Sequence, residues 1–251
     1  MADPRKLTVA EFKAEFPEIA KRIEPSGFAD PVFVYDAAHT VQGDFSIDRY
    51  NTPGEAGGYV FLSDLTVTGN LLNWNGDFGI DLVVEGHTTA QNIIAGGSFI
   101  HLHTVDVPGV VLGHYNDGYI GASDYAGLLM ISDDHHMNMR TTTPYVSIFD
   151  FPNSGREIYV DDIKLPYDTR WETTGQAFET FFRDTPWIEA WTDDPAMIDT
   201  FIEEGEYSIL WQDFARDAID KGAPARDDSF ARLADHMRRA FQAAAADTDP
   251  E

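Results

Sequence analysis

Phe61-Leu62, Leu65-Thr66-Val67, Leu71-Leu72, Ile80-Asp81-Leu82-Val83-Val84, Ile93-Ile94, Phe99-Ile100, Val110-Val111-Leu112, Tyr119-Ile120 and Leu128-Leu129-Met130-Ile131 divide the stretch from Tyr59 to Phe151 into short apolar runs. Gly, Asn and Asp separate them, and none is long enough for an ordinary helix. Gly69-Asn70 and Gly86-His87 follow two of the runs, 17 positions apart. Ile93-Ile94, Val110-Val111 and Leu128-Leu129 recur at steps of 17 and 18. A period of about 17–20 residues is shorter than a propeller blade and fits one coil of a parallel β-solenoid. A single coil cannot bury its own inward face, so coils stack and share one apolar column. The spacing predicts that Ile93, Val110 and Leu128 lie in that column.

The expected fold is therefore mixed but mainly β: a right-handed parallel β-solenoid of about four or five coils over residues 59–167. An antiparallel β-sandwich plus helices is the alternative, with strands every 8–12 residues or so. Residues 1–58 are expected to form an N-terminal cap. There, Thr8-Val9-Ala10-Glu11 reads as a capping box opening a helix with Phe12, Phe16, Ile19 and Ile23 on one face. This helix is expected to act as a lid, because an open solenoid end exposes apolar core and unpaired strand edges. Val32-Phe33-Val34-Tyr35 is a strand candidate, and Asn51 to Gly58 a loop. Glu157-Ile158-Tyr159-Val160 is read as a last strand. Residues 168–251 change to a helical period, with clusters at Phe178, Phe181, Phe182 and Trp187, at Met197, Ile198, Phe201 and Ile202, and at Ile209, Leu210, Phe214 and Ile219. Asp227-Asp228-Ser229 caps a final helix carrying Phe230, Leu233, Met237 and Phe241. Core packing is the expected role of these aromatics.

The chain has 251 residues, 43% of them hydrophobic, enough to fill a core. It has no cysteine, so disulfide and thiolate chemistry are out. The first residues, Met1-Ala2-Asp3-Pro4-Arg5-Lys6, lack the apolar centre of a signal peptide, and no apolar run reaches membrane-span length. A cytoplasmic location is expected. The net charge of −26 repels nucleic acid and anionic membrane and attracts a basic protein. The same acidity serves solubility or salt adaptation.

No Gly-x-Ser-x-Gly elbow, phosphate loop, Rossmann fingerprint or His-Glu-x-x-His occurs. The polar constellation of interest is His114-Tyr115-Asn116-Asp117-Gly118 with Asp133-Asp134-His135-His136. A coil step of 18 places Asp117 above His135 and Tyr115 above Asp133. Imidazole and carboxylate at one corner are the ligands of a divalent metal site and the parts of an acid–base pair. His114, Asp117, Asp133, His135 and His136 are the candidate metal ligands. Against them stands a plain solvated corner, since Asn-Asp-Gly is turn chemistry. His101 and His103 alternate and so share one side of their strand. No cofactor is expected beyond a divalent metal at that corner.

The run Leu82-Val83-Val84-Glu85-Gly86-His87-Thr88-Thr89-Ala90-Gln91-Asn92-Ile93-Ile94-Ala95-Gly96-Gly97 resembles the repeat of polymer-forming, bactofilin-like β-solenoids. It is also similar to solenoid proteins found beside bacterial toxin genes. The resemblance covers about 90 residues in the middle of the chain and encodes a shape rather than a chemistry. It implies a self-associating scaffold in the first case and an immunity or antitoxin-like binder in the second. The long aromatic C-terminus departs from bactofilins, and capped ends argue against filaments. Three functions follow as expectations. The first is a non-catalytic acidic protein that docks a protein partner, such as a basic toxin. The second is a β-helix enzyme acting on carbohydrate, or a metal-dependent hydrolase, through Asp117, Asp133 and Asp134. The third is a scaffold that self-associates through solenoid ends.

Overall fold

The computed structural model describes residues 3–23, 28–48, 56–76, 79–114, 118–133, 136–141, 145–149, 159–160 and 163–164, with helical positions 235–236, 238–240, 242–244 and 246. The aromatic clusters expected between 178 and 219 lie outside the described residues. Two helices come first, α1 (Val9–Glu15) and α2 (Pro17–Ile23), preceded by strand β1 (Arg5–Leu7). Strands follow as β2 (Val32–Tyr35), β3 (His39–Val41), β4 (Phe45–Ser46), β5 (Gly58–Phe61), β6 (Leu65–Val67), β7 (Leu71–Leu72), β8 (Leu82–Thr89) and β9 (Ile93–Ala95). Then come β10 (Phe99–His114), β11 (Tyr119–Asp133), β12 (His136–Thr141), β13 (Tyr145–Phe149), β14 (Tyr159–Val160) and β15 (Ile163–Lys164).

The middle region is a β-solenoid of about three turns, made by β8 with β9, by β10 and by β11. Every pairing among β2 to β13 is parallel, so the antiparallel sandwich is excluded for this region. Three walls result. The first joins β2, β5, the start of β8, and the starts of β10, β11 and β12. The second joins β3, β6, the end of β8, and the middles of β10 and β11. The third joins β4, β7, β9, the ends of β10 and β11, and β13. Parallel stacking begins at Val32.

Alternation along each strand sends every second side chain inward. Phe33, Tyr59, Leu82, Ile100, Ile120 and Met137 are register partners on the first wall and belong to one buried core. The third wall supplies Leu71, Ile93, Val111 and Met130 to the same core. The expected column of Ile93, Val110 and Leu128 is thus corrected to Ile93, Val111 and Met130. A slip of one residue reverses which side of the wall a side chain faces, so Val110 belongs to the outer side. The cause sits at Pro108-Gly109, where β10 bulges: Val107 pairs with Gly127, 20 positions on, but Val110 with Leu129, 19 positions on. The N-terminal turns are longer still. Leu65 pairs with Thr88, 23 positions on, rather than following the expected step of 17.

Corner chemistry explains that misreading. Asp44 Oδ1 accepts from the Asn70 backbone N–H at 2.7 Å, Asp64 Oδ1 from that of His87 at 2.8 Å, and Asn92 Oδ1 from that of Val110 at 2.9 Å. A glycine precedes each capped residue: Gly69, Gly86 and Gly109. A Cβ there would lie 2.3, 2.5 and 2.1 Å from the respective Oδ1, so the capping side chain needs the space glycine leaves. Gly69-Asn70 and Gly86-His87 therefore share a chemistry while occupying two different corners. One of the corners carries a ladder, with Asn70 Nδ2 donating to Asp44 at 2.9 Å and Asn92 Nδ2 to Asn70 at 2.8 Å.

The Thr8–Glu11 capping box forms as expected. Pro17 divides the expected single helix in two, because it has no N–H to continue α1 and its fixed φ suits the first position of α2. The helices do not cover the solenoid's first turn end-on. Phe12, Ile19, Ala20 and Ile23 pack instead with Val32, Val34, Val60 and Val83, the outward residues of the first wall. β1 shields the edge of β2 by antiparallel pairing, Leu7 against Val32. Of the expected last strand, Tyr159-Val160 form β14, but β15 follows and pairs antiparallel with it; Glu157 and Ile158 lie outside the described residues. The described C-terminal helical residues carry an Asp235–Arg238 ion pair.

Candidate functional site

His114 ends β10 on the third wall, and its register partner across the turn is Asp133, the last residue of β11. The expected neighbour of Asp133 was Tyr115; the 19-residue step after the bulge brings His114 there instead. His136 opens β12 and pairs with Tyr119, at the start of a turn rather than its end. Asp117 and His135 lie outside the described residues. His114 is buried, with Nε2 3.3 Å from the Asn73 carbonyl oxygen and its ring 5.9 Å from that of Trp74. Among the described residues no three His, Asp or Glu side chains converge as metal ligands would.

His101 and His103 do share a side, the outer side of the first wall, far along β10 from His114. The His101 ring lies 5.0 Å from Tyr119, and its Nε2 is buried without a hydrogen-bond partner. Burial pushes its pKa below the ordinary imidazole value; the Arg22 charge adds to this and Glu85 opposes it. His103 is exposed.

The outer sides of the three walls differ sharply. The first is covered by α1 and α2 over β2, β5 and β8. On the third, the outward residues Ile94, Val110 and Leu112 are fully buried. The second presents Thr40, Thr66, Thr89, Asp106 and Ala126 in register, flanked by exposed Asp64, His87 and Asp124 on one edge and Gln42, Thr68 and Gln91 on the other. Threonine suits this position: it is β-branched for the pleat, pairs across strands and tolerates water. This bare wall escaped sequence reasoning. The signal was there, in Thr40, Thr66 and Thr89, but only a correct register aligns them.

Charge along the solenoid is more one-sided than the whole-chain figure. Residues 24–139 hold 15 Asp and Glu and a single basic residue, Arg49. Several of these acids are spoken for. Asp44 and Asp64 cap corners, Asp81 accepts from the Phe99 N–H at 2.9 Å, and Asp36 and Glu85 pair with Arg5 and Arg22. Buried Asp48 accepts from Asn73 Nδ2, the Trp74 N–H and the Asn75 N–H at 2.8, 3.1 and 2.8 Å. Asp106 and Asp124 are exposed and make no such bond among the described residues. Compared with known proteins, the chain matches no family model, no curated protein and no solved structure.

Proposed function

We propose that this protein is a non-catalytic acidic binding protein that docks a basic protein partner, in the manner of an immunity or antitoxin-like factor. The observation that carries the reading is the charge of residues 24–139, 15 acids against one base, on a rigid stacked frame. Such a surface raises the local concentration of a cationic partner and speeds its association, and it disfavours nucleic acid and anionic membrane. A right-handed winding, the usual hand of parallel crossovers, and a cytoplasmic setting complete the proposal. The resemblance to solenoid proteins beside toxin genes supports the same class of role.

Co-expression with the product of the adjacent gene tests the proposal. The expected result is a complex whose association slows about tenfold between about 0.05 M and 0.5 M salt, as screening shortens the reach of the field. Failure to form a complex at any salt refutes it for that partner, and substrate turnover refutes its non-catalytic character.

A second reading has its own support. Among the described residues β3 pairs only with β6 and β4 only with β7, so the N-terminal turn keeps two open edges beside half-buried Tyr35, Val41 and Phe45. Open parallel edges template further strands, which favours self-association through this end. Light scattering that stays at the monomer mass over a wide concentration range excludes it.

A further inference from the structure

We infer that the basic partner docks on the bare second wall, along the register line of Thr40, Thr66, Thr89, Asp106 and Ala126. This rests on the reading of the protein as an acidic binder and assigns that role a surface. The first wall is taken by α1 and α2 where these pack on Val34, Val60 and Val83. The third hides Ile94, Val110 and Leu112 from solvent entirely. On the second the outward positions are open along its length, with Thr40, Asp106 and Ala126 exposed and Thr66 and Thr89 half-buried.

Charge complementarity selects the occupant. Neither the register line nor its flanks carry lysine or arginine, whereas α1 and α2 carry Lys13, Lys21 and Arg22. Asp106 and Asp124 have no partner among the described residues, so meeting a cation would break no bond within the fold. Size makes the acidic rim part of the contact. Five strands about 4.8 Å apart span about 19 Å, and about five chain positions from one flank to the other, at about 3.3 Å each, span about 17 Å. The projected area is about 320 Å², well short of the roughly 800 Å² one partner contributes to a standard interface. A stable partner therefore has to spread beyond the threonines onto the edge that carries Asp64 and Asp124. The small side chains of the centre let it lie flat; Asp106 within the line and Asp64 and Asp124 on the rim supply attraction.

Decalysine, followed by fluorescence anisotropy at low salt, is the probe. Asp106→Lys with Asp124→Lys alters the wall, and Asp3→Lys with Glu18→Lys makes the same change in net charge on the exposed N-terminal segment. The expected result is a tenfold or greater loss of affinity for the wall variant and less than threefold for the other, at the 25 °C scale of roughly one decade for two charge contacts. In the unaltered protein, bound decalysine should also slow amide exchange at Thr66 and Thr89. Equal loss in both variants, with no protection of the wall, overturns the assignment while leaving the basic-partner reading intact. No binding by the unaltered protein even at low salt overturns both.

Discussion

Asp48 and Asp106 carry the same side chain into opposite circumstances. Asp48 lies buried at a corner and holds three N–H donors of the next turn; Asp106 stands on the open second wall with no bond among the described residues. Asp44, Asp64 and Asp81 resemble the first, and Asp124 the second. The difference teaches that acidity in a solenoid has two sources. Corners turn the chain away from the wall ladders and leave N–H groups that need acceptors, and a carboxylate is a strong one. Some of the −26 is therefore architecture, and only the remainder is free to attract a partner.

The largest effect expected follows directly. Asp48→Ala removes the acceptor of three hydrogen bonds, each worth about 1 kcal/mol, so stability should fall by about 3 kcal/mol. For a chain of this size that lowers Tm by roughly 6–12 °C, at about 2–4 °C per kcal/mol. A thermal melt displaced by less than about 2 °C would erase the distinction between corner and wall acids. Next come the glycines that make room for the caps. Gly69→Ala and Gly86→Ala place a Cβ against backbone as well as carboxylate, 2.6 Å from the Gly43 carbonyl carbon and 2.5 Å from that of Ser63. Neither contact can relax cheaply, and each should cost about 2 kcal/mol, read from urea midpoints. A neutral outcome at both would mean that the corners are looser than the stacking implies.

Titration sharpens the comparison from another side, since buried groups respond to pH through the fold. His101 has its pKa lowered by burial, so the unfolded chain binds its proton more readily than the folded one. Its contribution is present above about pH 6.5 and is lost as pH falls through the depressed folded value. The groups facing it are the Tyr119 ring and the Arg22–Glu85 pair. Urea midpoints should drop between about pH 7.5 and pH 5.5, and His101→Gln should make the drop smaller. At the alkaline end burial holds the Tyr59 hydroxyl up at about 12. That stability is full below about pH 10 and is lost as pH rises through the folded value. A Tyr59→Phe variant should lose less stability than the parent over that range.

Much of the wall architecture was legible because alternation and short apolar runs are local: Phe99-Ile100, Tyr119-Ile120 and Val110-Val111-Leu112 were all recognised as strand segments, and β10 and β11 contain them. Register was not legible, because turn length varies. Turns from β2 to β5 step by 26, from Val32 to Gly58, while those from β8 to β10 step by 18, from Leu82 to Ile100. A bulge at Pro108-Gly109 adds a change within a single strand. The candidate site suffered for the same reason. A shift of one residue moved the partner of Asp133 from Tyr115 to His114, and Asp117 and His135 lie outside the described residues. The bare wall needed all of these steps at once, since Thr40, Thr66 and Thr89 are separated by 26 and then 23 positions. What one sequence conveys well is the chemistry of each corner; which corner it is depends on pairing across turns.

The smallest expected effect on stability is also the most informative. Asp64→Ala removes one acceptor from the His87 N–H at an exposed corner and should cost about 1 kcal/mol. Asp106→Ala removes a charge that bonds to nothing among the described residues, so its stability should stay within about 0.5 kcal/mol of the parent. Removing a negative charge from a chain this acidic also relieves self-repulsion, so the sign of the small change should favour stability. Measured side by side in urea, the two variants hold charge change constant and differ only in whether the carboxylate supports the next turn. If Asp106→Ala proves as costly as Asp64→Ala, wall acids are structural too, and the surplus of negative charge loses its claim to be a surface kept for a partner.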